Sequence, residues 1–283
     1  MRLASVRSND EIEAALVIDQ ELVRISAIAS HFQISLPTTV IDLIRSSDSF
    51  QALQRHSTRL SEVPQSIREP LTEAQFVAPF YEPPKIWGIG LNYREHANDL
   101  GAPLPTEPAS FMKPRTTIIG PGDSIVLPQE SSRVTTEAEL GVILGRRCSN
   151  VNVNDVENVI FGYVPVLDTT AEDILQRNPR FLTRAKSFDT FFSFGPCILT
   201  PEEIRELDNT KVATVLNDRV EKSNLVRNMT FSPAYLVSFH SRIFTFEPGD
   251  ILSTGTPGAV GIKHGDRVEC RIDGFPSLHN NVV

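Results

Sequence analysis

The run TTEAELGVILG, residues 135–145, limits the possible folds more than any other stretch of the chain. Ala138, Leu140, Val142 and Leu144 fall at alternate positions, and Glu137 and Glu139 occupy the phase between them. Side chains of a strand alternate between its faces, so residues two apart point the same way. A strand here turns an apolar face to a core and gathers both carboxylates on the other. One explanation is an edge strand with a wet face, where two glutamates need no function. The other is a metal site, because a divalent cation removes the repulsion between neighbouring carboxylates. A hard ion such as Mg²⁺ or Mn²⁺ takes oxygen ligands in near-octahedral geometry and keeps positions for water or substrate.

Such a site wants a third carboxylate, and Asp168 stands where the apolar run GYVPVLD ends. An Asp closing a strand often only begins a turn. In GLNYREHANDL, His96 and Asp99 are three residues apart and share a helical face. The carboxylate can orient the ring and raise its basicity, which suits a general base acting on water, although a surface helix also carries such pairs by chance. Lys186 sits in the aromatic run RAKSFDTFFSFGP, where a buried ammonium seeks an anion unless its head reaches water. The loop GDILSTGTPGAVG ends a strand in small residues; its backbone N–H groups, Gly255 included, and the hydroxyls of Thr254 and Thr256 suit a carboxylate, or simply a tight turn.

The 283 residues suffice for a small domain joined to a larger one. The prolines of FVAPFYEPPK mark a change of character, which places a small N-terminal α/β domain at 1–75 and the chemistry at 76–283. From there, short strand patterns such as KIWGIG, VIFGYVPVLD and DRVECRIDG outnumber helical ones such as AEDILQRNPRFLTRAK and PAYLVSFHSRI. That balance predicts a β-rich α+β fold rather than a doubly wound sheet. A net charge of −8 argues against binding the nucleic-acid backbone, and no apolar run is long enough for a bilayer span. Cys148, Cys197 and Cys270 form neither a disulfide framework nor a zinc pattern, and the N-terminus carries acidic residues where a secretory signal needs an apolar core, so a cytoplasmic protein is expected. No dinucleotide fingerprint, Walker sequence, serine elbow or H-E-x-x-H pair is complete.

Taken together, NYREHA, FMKP, GPGDSIVLP, TTEAELGVILG, GYVPVLD, AKSFDTFFSFGP and GDILSTGTPGAVG, in this order over residues 85–283, resemble the fumarylacetoacetate hydrolase superfamily. The resemblance implies a mixed β-roll catalytic domain, a homodimer, and Mg²⁺ or Mn²⁺ held by Glu137, Glu139 and Asp168. It implies a 2-oxo acid as the small-molecule partner, with Lys186, Thr256 and the Gly255 loop on its carboxylate and keto groups, and His96, supported by Asp99, activating water. The implied reaction is hydrolysis of a C–C bond in an acylpyruvate or related 2,4-dioxo acid. Decarboxylation, dehydration of a 2-oxo-3-deoxy sugar acid, isomerisation of a 2-hydroxymuconate-like diacid and non-catalytic binding of a 2-oxo acid are the alternatives. Three positions depart from the family pattern: Asp99 stands where many members have glutamate, Glu172 where arginine is usual, and Lys222 where glutamine is.

Overall fold

The computed structural model describes residues 1–8, 11–99 and 103–283, the side chains of residues 61 and 97–99 excepted. The architecture is α+β and β-rich, with two sheets and short peripheral helices. The longest strands, Val134–Leu144 and Ile160–Ala171, run antiparallel side by side in the larger sheet. Both are buried along their whole length.

That burial on two faces decides between the two explanations of the glutamate pair. On one face Ala138, Leu140, Val142 and Leu144 join Val212, Val268 and Cys270 of the smaller sheet in a common core. A threonine from that sheet also reaches in, and its Oγ1 accepts the Ala138 N–H at 3.0 Å. Glu137 and Glu139 lie on the other face, only 8% and 1% exposed. They are not the wet side of an edge strand.

The helical patterns form where expected, with boundaries set by local chemistry. TTVIDLIRSSDSFQALQRHS makes two helices, Val40–Arg45 and Ser47–Ser57, because Ser46 adopts an extended conformation and its hydroxyl accepts the Ser49 N–H. REHAND and EDILQR form the helices Arg94–Asp99 and Glu172–Arg177, and LTRAK forms Leu182–Lys186.

The N-terminal segment is tied to the rest of the chain. Strand Arg2–Ser8 pairs on one side with Glu11–Ile18 and on the other with Cys197–Leu199, and Gln75–Val77 also joins it. Leu3, Ile25 and Leu43 share a core with Ile143 and Val164. Among the described residues, no helix is long and apolar enough to cross a membrane.

Candidate active site

Strand register builds the site. Thr135, Glu137 and Glu139 follow one another along one face of Val134–Leu144, and Glu137 faces Asp168 directly across the pair. One ligand atom from each of Glu137, Glu139 and Asp168 falls within a group whose members all lie within 4.8 Å of one another. Two oxygens on a single small divalent ion, each at ~2.1 Å, stand ~3.0 Å apart when adjacent and ~4.2 Å when opposite, so the three donors draw inward to share one ion.

Two lysines neutralise part of this charge. Lys186, at the end of its short helix, donates to Glu137 Oε2 at 2.6 Å and to Asp168 Oδ2 at 2.8 Å. Its ammonium is buried, so the stem-packed, solvent-facing alternative is not realised. Burial alone would lower its pKa, but Asp168, Glu137 and Glu139 together hold it above the usual lysine value. Lys113 donates to Asp168 Oδ1 at 2.5 Å and to the Thr169 carbonyl at 3.2 Å. Burial lowers Lys113 to about 8 against the pull of Asp168. Asp168, although penalised by burial, is held below its ordinary value by the two ammoniums.

Glu139 is the carboxylate without a lysine. Its Oε2 accepts from Ser253 Oγ at 2.5 Å and from the Gly255 N–H at 2.8 Å. Burial, then Asp168 and Glu137, push it up to about 8. Fully ionised, three carboxylates would outnumber the two ammoniums by one negative charge in a buried place, and the raised Glu139 is where that excess is felt. An all-oxygen donor set with that residual charge fits a hard divalent cation.

The loop that reaches Glu139 is held by Asn92, which is fully buried. Its Nδ2 donates to the Thr254 and Phe231 carbonyls at 2.7 and 3.0 Å, and its Oδ1 accepts the Phe231 N–H. Gly255 has φ +95°, and a Cβ there would lie 2.7 Å from Asn92 Cβ, so only glycine fits beside that staple. Thr254 Oγ1 donates to the Leu140 carbonyl and so is spent on the fold, whereas Thr256 faces the cavity while bonding to Gly258.

A cavity of about 360 Å³ opens over the carboxylates, and His96, Glu137, Glu139, Lys186 and Thr256 line it. His96 is buried, 6% exposed. The side chain of Asp99 lies outside the described residues. Lys113, Asn92 and Ser253 escaped the sequence reading as site residues. For Lys113 a signal existed: in ASFMKP it shares a strand face with Phe111, whose ring lies 4.9 Å from the Lys186 ammonium.

Residues 85–283 match the family model described as fumarylacetoacetate (FAA) hydrolase, C-terminal. An uncharacterized protein of Archaeoglobus fulgidus is 42% identical over 215 residues, covering 76% of this chain and 84% of that protein. The bovine mitochondrial oxaloacetate tautomerase FAHD2A is 32% identical over 263 residues, 89% of this chain and 82% of its own. Maleylpyruvate hydrolase from Sphingobium sp. SYK-6, solved with manganese(II) and pyruvate, superposes with a TM-score of 0.82 at 28% identity, covering 100% of this chain and 99% of that one. A buried oxygen-donor cluster, a matching domain and a fold shared along its length lead to one assignment: the chain belongs to the fumarylacetoacetate hydrolase family.

Proposed function

We infer that the protein is a divalent-metal-dependent hydrolase that cleaves a C–C bond in an acylpyruvate or related 2,4-dioxo acid. The observation that carries this reading is the convergence on one cavity of paired glutamates, a buried ammonium and a buried imidazole. Held by Glu137, Glu139 and Asp168, Mg²⁺ or Mn²⁺ would supply a Lewis acid for the carboxylate and keto oxygens of a 2-oxo acid.

The chain's own residues then have separate tasks. Lys186, kept protonated by its carboxylates, places positive charge where enolate charge develops. Thr256 and the backbone of the Gly255 loop orient the acid group. His96 takes a proton from water as the water oxygen adds to the distal carbonyl carbon. The bond between that carbon and the adjacent methylene breaks, its electron pair leaves with the pyruvate enolate, and return of the proton from His96 to the former methylene carbon gives pyruvate and a carboxylic acid. Asp99 is the proposed partner that orients His96. The three cysteines are free thiols, which supports a reducing compartment such as the cytoplasm.

A second reading is tautomerisation of a 2-oxo acid, favoured by the 32% identity to an oxaloacetate tautomerase. It needs the enolate but no attacking water. Acetylpyruvate, fumarylpyruvate, oxaloacetate and a 2-oxo-3-deoxy sugar acid, assayed with Mg²⁺ for pyruvate release, dehydration and keto–enol exchange, separate the two. Under the hydrolase reading, His96→Asn lowers pyruvate release by roughly 10²-fold or more while keto–enol exchange persists. Keto–enol exchange on oxaloacetate with no pyruvate from any dioxo acid would replace it with the tautomerase.

A further inference from the structure

The cavity has two chemically different ends. Beyond Glu137, Glu139 and Lys186, Leu91, Phe111, Leu175, Pro179, Leu182 and Ala259 supply hydrocarbon walls, interrupted by the polar groups of Thr135, Thr170, Glu172 and Gln176. Among the described residues, Lys186 is the only lysine or arginine that lines it, and its ammonium is already committed to Glu137 and Asp168.

Glu172 faces the same space. It opens a helix four residues past Asp168, about 13 Å along an extended strand, and so lies away from the metal end. Its Oε2 accepts from Arg133 Nε at 2.5 Å and its Oε1 from Gln176 Nε2 at 3.0 Å. Arg133 is 62% exposed, whereas the glutamate side chain is 15% exposed, so the guanidinium approaches from the solvent side and the carboxylate stands between it and the cavity.

We propose that the far end of this cavity receives an uncharged hydrocarbon tail and excludes a second carboxylate, which makes the substrate a monocarboxylic 2-oxo acid extended by an alkyl or aryl acyl group. The inference rests on the reading that the metal end holds the 2-oxo acid. A terminal carboxylate entering here would lose water against hydrocarbon and meet Glu172, while the cation beside that glutamate, Arg133, is already paired to it. A hydrocarbon tail of the same length would gain from burial against Leu175 and Leu182.

The test uses a matched pair, 2-oxoheptanoate and 2-oxoheptanedioate, which differ only in the terminal group. Each is titrated calorimetrically against oxalate bound to the Mg²⁺-loaded full-length protein, so that no assumption about turnover enters. The monoacid should displace oxalate at about tenfold lower concentration or better. Glu172→Gln, which removes the like charge, and Gln176→Arg, which places a cation at an exposed position on the rim, should each narrow that ratio by about threefold or more. Equal affinities in the unsubstituted protein, or a ratio that neither variant moves, would overturn the proposal while leaving the 2-oxo acid site intact. Absence of any Mg²⁺-dependent oxalate binding would overturn the underlying reading, and this one with it.

Discussion

Glu137 and Asp168 sit opposite each other on paired strands, and the Lys186 ammonium joins them, 2.6 Å from the first and 2.8 Å from the second. Removing that ammonium leaves carboxylates crowded in a buried site with too little positive charge. Lys186→Met should lower the stability of the metal-free protein by about 3 kcal/mol, and Mg²⁺ should restore more stability to the variant than it adds to the parent. Thermal unfolding with EDTA or with Mg²⁺ reads both effects. Equal metal-induced shifts in the two proteins would contradict this account of the charge balance.

Glu139 should behave in the opposite way. It has no lysine partner, and burial with its acidic neighbours pushes it up to about 8. At neutral pH Glu139→Gln therefore costs the metal-free protein little, within about 1 kcal/mol, because the amide replaces a carboxyl that is already largely protonated. It should also abolish most of the metal-induced stabilisation, about 2.7 kcal/mol for the parent protein at a hundredfold excess over the dissociation constant. A variant still stabilised to the parent's extent would show that Glu139 does not hold the ion.

Gly255 links the loop to Glu139 through its N–H and has no room for a methyl group beside Asn92. Gly255→Ala should cost about 1–3 kcal/mol in urea unfolding and weaken metal-dependent oxalate binding, since the donor to Glu139 must shift. Loss of stability with unchanged oxalate affinity would separate the backbone constraint from the site.

His240 provides a pH test away from the carboxylates. It is fully buried, its Nδ1 lies 2.8 Å from the Leu236 carbonyl, and Trp87 and Phe244 pack around its ring. Burial holds its pKa below the ordinary value, against the Leu236 carbonyl. The unfolded chain thus takes up a proton more readily, so this contribution is full above about pH 6.5 and is lost as pH falls through the folded-state value. His240→Leu should flatten the stability profile in that acid range, by at most about 1.4 kcal/mol per pH unit relative to the parent. Parallel profiles for the two proteins would refute the assignment.

The glutamate pair was legible because strand alternation is local: eleven consecutive residues suffice to put Glu137 and Glu139 on one face. Asp168 was legible as the polar residue ending an apolar run, although the strand itself continues to Ala171, and Lys186 as a cation in an aromatic run. The same local pattern left open whether the glutamate face was wet or buried. That was decided by the cavity-lining segments that close over the strand, contributed by residues as distant as Ser253 and Gly255.

The sequence alone determined the strand phase, the acidic donor types and the order of the motifs, all properties of neighbouring residues. Tertiary structure decided which charges meet. Lys113 reaches Asp168 across a separation of 55 residues, and Asn92 reaches the Thr254 carbonyl across 162. Contacts of that span depend on how whole strands pair and on the closure of long loops, and no periodicity along the chain records them. The charge balance at Glu139 follows from those meetings, and with it the fit to a divalent ion.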